Sequence, residues 1–93
     1  MRVERICSLS AAEFYRHLPL ALARWQWHET GDHIHITLDG GRATVTFEPL
    51  APLRLSASLS LPRLRVVLAI EGAQPVRDAF IAAWDRAFQR GGG

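Results

Sequence analysis

Three of the chain's histidines fall in one short segment, as His28, His33 and His35. Imidazole is a ligand for Zn, Ni or Cu, and His33-Ile34-His35 has the spacing that places two rings on the same side of a strand. If His28 stands across a hairpin from His33, all three rings share the polar face of one ribbon, close enough for a common metal ion. Glu29 and Asp32 lie in the intervening turn and are candidate further ligands. Without a clear fourth ligand, the competing expectation is a solvated group near a hairpin tip.

A second group is basic and hydroxylic. Thr37, Thr44, Thr46, Ser56, Ser58 and Ser60 alternate with apolar residues, and Arg42, Arg54 and Arg65 stand among them. Arg54, Ser56, Ser58 and Arg65 are the candidate interaction face, suited to an anionic ligand or a partner strand. The competing expectation is a sheet face turned to water. Catalysis finds little support. Cys7 and His17 are the one conceivable nucleophile pair, but a lone cysteine in a strand is usually a small core residue. The chain has no phosphate-binding glycine loop, HExxH or nucleophile elbow.

The elements that carry these groups are legible from periodicity. Arg2 to Ser8 alternates weakly and suits an edge strand. Ser10-Ala11-Ala12-Glu13 is a capping box, and Leu9 with Phe14 matches a hydrophobic staple, so a helix starts at about Ala11. Phe14, Leu18, Ala21, Leu22 and Trp25 share its apolar face. Pro19 removes a donor and crowds the Tyr15 carbonyl, which predicts a kink or a break there. From Trp25 the period becomes two. Turns are expected at Glu29–Asp32, at Asp39-Gly40-Gly41, across Pro49–Pro52 and at Pro62. Leu53 to Ile70 alternates almost without a fault, which predicts strands with Leu53, Leu55, Ala57, Leu59 and Leu61 on a buried side until Pro62, where the parity flips.

One register satisfies all four turns. Trp27 then faces Ile34 and Trp25 faces Ile36; Leu38 faces Ala43 and Ile36 faces Val45; Phe47 faces Leu55; Leu59 faces Val66 and Arg54 faces Glu71. Each pairing keeps apolar residues together, and a one-residue slip would break the pattern. Pro75 opens a last helix whose face is Val76, Phe80, Ala83, Trp84, Ala87 and Phe88, with Gly91 as its stop. The expected fold is α+β, in the order β-α-β-β-β-β-β-α. It is one antiparallel sheet of five to six strands with an N-terminal and a C-terminal helix on one face. Residues 1–93 form a single domain, with a flexible glycine tail over 91–93.

Composition narrows the functional classes. Its 93 residues, 48% of them hydrophobic, suit a globular domain. No apolar run approaches the roughly 20 residues of a transmembrane helix, and the start has no signal-peptide core. A single cysteine and no secretory signal suggest a reduced, cytoplasmic setting. All the basic residues are Arg, the bias of a GC-rich bacterial genome. A net charge of +2 is too small for a nucleic-acid footprint, and the hairpin tryptophans are expected on the helix side rather than free to stack on bases.

Trp25, Trp27, Phe47, Phe80 and Trp84, with Phe88, form an aromatic set between sheet and helices and are the candidate ligand-binding residues. The order of strand, helix, strands and last helix resembles a shortened helix-grip layout. The pattern Trp27, Gly31, Asp32 followed by strands and a helix is similar to small bacterial proteins linked to polyhydroxyalkanoate granules. That resemblance implies a carrier of an apolar or lipid-related ligand. The competing expectation is a filled core, because a domain this small has little spare volume. The ending Arg90-Gly91-Gly92-Gly93 resembles the diglycine tails of ubiquitin-like carriers. The reading favoured by these residues is a non-catalytic binding or accessory module. It has no cofactor and acts through contacts with a protein partner, a second copy included. The carrier, the histidine metal site and the glycine-tailed carrier are the alternatives.

Overall fold

The structure, a computed structural model, describes residues 1–92. Its elements run β1 (Arg2–Cys7), α1 (Ala11–Ala21), β2 (Gln26–Thr30), β3 (His33–Leu38), β4 (Gly41–Arg54), β5 (Ser60–Glu71) and α2 (Gln74–Gly92). The strands make one antiparallel sheet in the order β1-β5-β4-β3-β2, and the fold is α+β as expected.

Helix α1 begins as the capping box dictates. The Glu13 backbone N–H donates to Ser10 Oγ at 3.2 Å, and the Ser10 N–H donates to Glu13 Oε1 at 3.1 Å. Leu9 and Phe14 are both buried, as a staple requires. Pro19 does not break the helix in its middle. It sits in the last turn, where few intrahelical bonds remain to be lost, and α1 ends at Ala21. Helix α2 holds Pro75 in its first turn and passes through Gly91 to Gly92, so Gly91 is not its stop. Gly93 lies outside the described residues.

The core lies between one sheet face and the helices. Ile34, Ile36 and Leu38 of β3, Ala43 and Val45 of β4, and Leu64, Val66, Leu68 and Ile70 of β5 are buried there against Phe14, Leu18, Phe80 and Trp84. Arg5 on β1 reaches across to α2, where its Nε and Nη2 donate to the two carboxylate oxygens of Asp85 at 2.9 and 3.0 Å. This hydrogen bond is the main reason the Arg5 guanidinium is held above its usual pKa.

The register departs from the expected one in an instructive way. His28 pairs with His35 rather than His33, so Trp27 faces Ile36, and Trp25 precedes the strand. Ile36 faces Ala43 and Ile34 faces Val45. Both hairpins are displaced from the expected pairing by an even step. An even step keeps every side chain on its face, so alternation alone cannot detect it. What fixes it is the turn. Gly31 and Gly40 take positive φ of 59° and 76°, and they close tight loops between Thr30 and His33 and between Leu38 and Gly41.

The larger correction concerns the prolines. No turn forms at Pro49–Pro52 or at Pro62. Strand β4 runs on through both prolines to Arg54, and β5 begins at Ser60 and runs through Pro62. Phe47 faces Val66 instead of Leu55, Glu71 faces Arg42 instead of Arg54, and Leu53 faces Leu61. The register shifts between Leu50, which pairs with Arg63, and Leu53, so Ala51 and Pro52 stand opposite Pro62 alone. Two residues against one make a β-bulge, and a bulge tolerates missing proline donors. Strand β5 has no extra residue, so the parity flip at Pro62 puts Leu61 and Leu64 on opposite faces, and the bulge turns Leu53 to the face of Leu61. The one turn in this region closes lower down, where the Leu55 and Ser56 N–H groups both donate to the Leu59 carbonyl.

Candidate functional site: an apolar arm beyond the sheet

Strand β3 accompanies β4 only as far as Val45, and β1 accompanies β5 only from Leu64. Beyond those points β4 and β5 have each other alone, and they leave the body as a two-stranded arm from Pro49 to Arg63. Every residue from Ala51 to Leu61 is exposed. The leucines expected on a buried side are therefore in solvent: Leu53 is 46% exposed, Leu55 53%, Leu59 55% and Leu61 37%. Two things leave them uncovered: alternation along β5 puts Leu59 and Leu61, and Leu53 paired with Leu61, on the face of Arg65, away from the helices, and α1 covers the strands only to Phe47, whose ring is 4.9 Å from Phe14. Leu53 is paired with Leu61, and Leu55 and Leu59 flank the turn. Strand alternation puts these four side chains on one face of the arm, opposite Arg54 and Ser60.

The expected interaction residues divide between the arm and its base. Arg54, Ser56 and Ser58 stand at the arm's end, all exposed. Arg65 stands at the base, on the sheet face away from the helices. Its Nε donates to Glu4 Oε1 at 2.8 Å and its Nη1 to Glu48 Oε1 at 3.0 Å, so its charge is already engaged. The Glu4 hydrogen bond, with that of Glu48 second, holds the Arg65 guanidinium above its usual pKa. Arg63 donates to the Ala51 carbonyl at 3.0 Å. Among the described residues neither Arg54 nor Arg63 meets a carboxylate.

The histidines are gathered, but as a stack. The His28 and His35 rings are 5.0 Å apart and inclined by 24°, and the His33 and His35 rings are 6.1 Å apart and inclined by 14°. Rings lying face to face do not converge their nitrogens on one point. Among the described residues no group of three or more His, Cys, Asp and Glu is placed to hold a metal ion. The two members of the conceivable nucleophile pair each have other surroundings. His17 Nε2 lies 2.8 Å from the Ala87 carbonyl, to which it donates, and its ring packs edge-on against Phe88. Cys7 is half-buried, and that burial, with the Asp85 charge second, pushes its thiol up from the usual value. A raised thiol is a poor nucleophile.

The aromatic residues form a continuous path. Trp25 packs on Phe80 at 5.2 Å, Phe80 on Trp84 at 6.1 Å, Trp84 on Phe88 at 4.4 Å, Phe88 on Phe14 at 5.3 Å and Phe14 on Phe47 at 4.9 Å. Trp27 is half-buried against the core and stands outside this path. Phe14, the hub, was missing from the expected set; its staple position was the available signal. Among the described residues the buried Trp84 indole N–H meets no partner. Between the two helices, Leu20, Ala21, Ala23, Arg24, Ala83, Arg86 and Ala87 line an open groove. No described helix is long and apolar enough to cross a membrane. No known protein family matches the chain, and no characterised protein matches its sequence.

Proposed function

We propose that the chain is a non-catalytic binding module that acts through protein contacts made by the β4–β5 arm. The observation that carries this reading is the four exposed leucines on one face of the arm. A folded monomer scatters single apolar residues over its surface, whereas a contiguous apolar set marks a contact. Each exposed leucine forgoes part of the roughly 1.5–3 kcal/mol that full burial would contribute, so the arrangement makes sense only with a partner. The bond of His17 to the Ala87 carbonyl and the half-burial that pushes the Cys7 thiol up fit a module without a nucleophile.

A photo-crosslinking residue placed at Leu55 in the producing cell is expected to join the chain to another protein. The same residue at Leu20, 74% exposed on α1, serves as the control. Crosslinks from position 20 and none from position 55 would contradict the proposal.

A further inference from the structure

We infer that the arm's partner is an acidic, amphipathic helical segment of a different protein, which lies across the leucine face. The inference rests on the arm being a protein-contact surface and adds the chemistry of its occupant. Charge is the first argument. From Pro49 to Ile70 the chain carries Arg54, Arg63 and Arg65 and no acid. Arg65 is neutralised by Glu4 and Glu48. Arg63 is left as a cation on the leucine face at the base of the arm, and Arg54, on the opposite face beside the turn, is a second. An apolar face with an unpaired cation at its base, on an arm that carries no acid, is complementary to an apolar face bordered by carboxylates.

The mode of contact follows from the arm's backbone. Both arm edges lack a neighbouring strand, which would ordinarily invite an added strand. Pro49, Pro52 and Pro62 remove donors from those edges, and the bulge at Ala51-Pro52 interrupts the ladder. The leucine face is therefore the stronger attraction. Six residues of strand, Pro49 to Arg54, span about 20 Å at ~3.4 Å each. A helix crossing that length presents about 13 residues at ~1.5 Å each, enough for apolar side chains at i, i+3, i+4 and i+7.

Two other occupants fit less well. A second copy offers no acidic helix. Helix α1 sets Glu13 against Arg16, and α2 sets Asp78 and Asp85 against Arg77 and Arg86, with Asp85 already bound to Arg5. A lipid surface would be entered by the turn, and the turn is Ser56-Ala57-Ser58, small and polar, with no aromatic residue.

The test uses the whole chain and two synthetic 18-residue peptides. Both carry Leu at helical a and d positions; one carries Glu at the flanking positions and the other Lys. Fluorescence anisotropy is expected to show the Glu peptide binding at least tenfold more tightly than the Lys peptide, and binding should weaken as salt is raised. Leu55→Ser with Leu59→Ser should weaken it at least tenfold. Arg54→Glu with Arg63→Glu should reverse the preference between peptides. Equal binding of both peptides, no binding of either, or binding indifferent to the arm substitutions would overturn the inference. Sedimentation of the chain with vesicles of phosphatidylcholine and phosphatidylglycerol, in place of peptide binding, would overturn it in favour of a lipid surface. Mass doubling with concentration that the leucine substitutions abolish would overturn it in favour of a second copy. If the peptides fail while position 55 still crosslinks to protein, the arm remains a protein contact and only the acidic helix is lost.

Discussion

At Ser10 and Glu13 two side chains satisfy two backbone donors that the first turn of α1 would otherwise leave free. Ser10→Ala should cost about 1 kcal/mol, a fall in Tm of about 4–8 °C for a domain this size, read by thermal unfolding. The hydrogen bonds from Ser10 hold the Glu13 carboxyl below its usual pKa. A depressed carboxyl stabilises the fold fully above its unfolded pKa of about 4.3 and loses that contribution as pH falls through the lower folded value. Glu13→Gln should therefore lower stability at neutral pH and flatten its decline below about pH 5. Cys7 gives an independent check. Its raised thiol should alkylate more slowly at pH 8 than a free cysteine, and unfolding should restore the ordinary rate. Phe14, fully buried at the centre of the aromatic path, should cost about 3–5 kcal/mol when replaced by Ala, a large part of the whole stability.

At the scale of elements, one strand pair does two jobs. The inner halves of β4 and β5 bury Ala43, Val45, Leu64, Val66, Leu68 and Ile70; the outer halves expose Leu53, Leu55, Leu59 and Leu61. Two substitutions separate these jobs. A Cβ at Gly41 would collide with the Glu71 carbonyl at the inner end, so Gly41→Ala should cost about 1–3 kcal/mol in denaturant unfolding. Leu55→Ser with Leu59→Ser should leave the unfolding midpoint within about 4 °C, because leucines this exposed contribute little to the fold. The capping box, the apolar face of β3 and the helical spacing of α2 were legible because each is set by neighbours close in sequence. The fate of Leu53 to Leu61 was not. A period of two says that one face is apolar, and it reads the same whether this chain or another covers that face. The prolines misled for a related reason. They exclude central ladder positions, and the arm has two free edges and a bulge to hold them.

At the scale of the molecule, the arm shows in the dimensions. The chain extends 49 × 25 × 21 Å, and its radius of gyration of 13.8 Å exceeds the ~12 Å of a compact domain of this length. A two-stranded ribbon standing alone is marginally stable in water, so the arm should exchange its amide hydrogens faster than the inner halves of the same strands, and slow when bound. The most direct test is native mass spectrometry of the untagged protein isolated from its own host, as wild type and as Leu55→Ser/Leu59→Ser. The expected result is a wild-type species heavier by the mass of a second polypeptide, and a variant reduced to the bare 10.4 kDa chain. A wild type found bare, or a partner that stays bound to the variant, would contradict the arm as the binding surface.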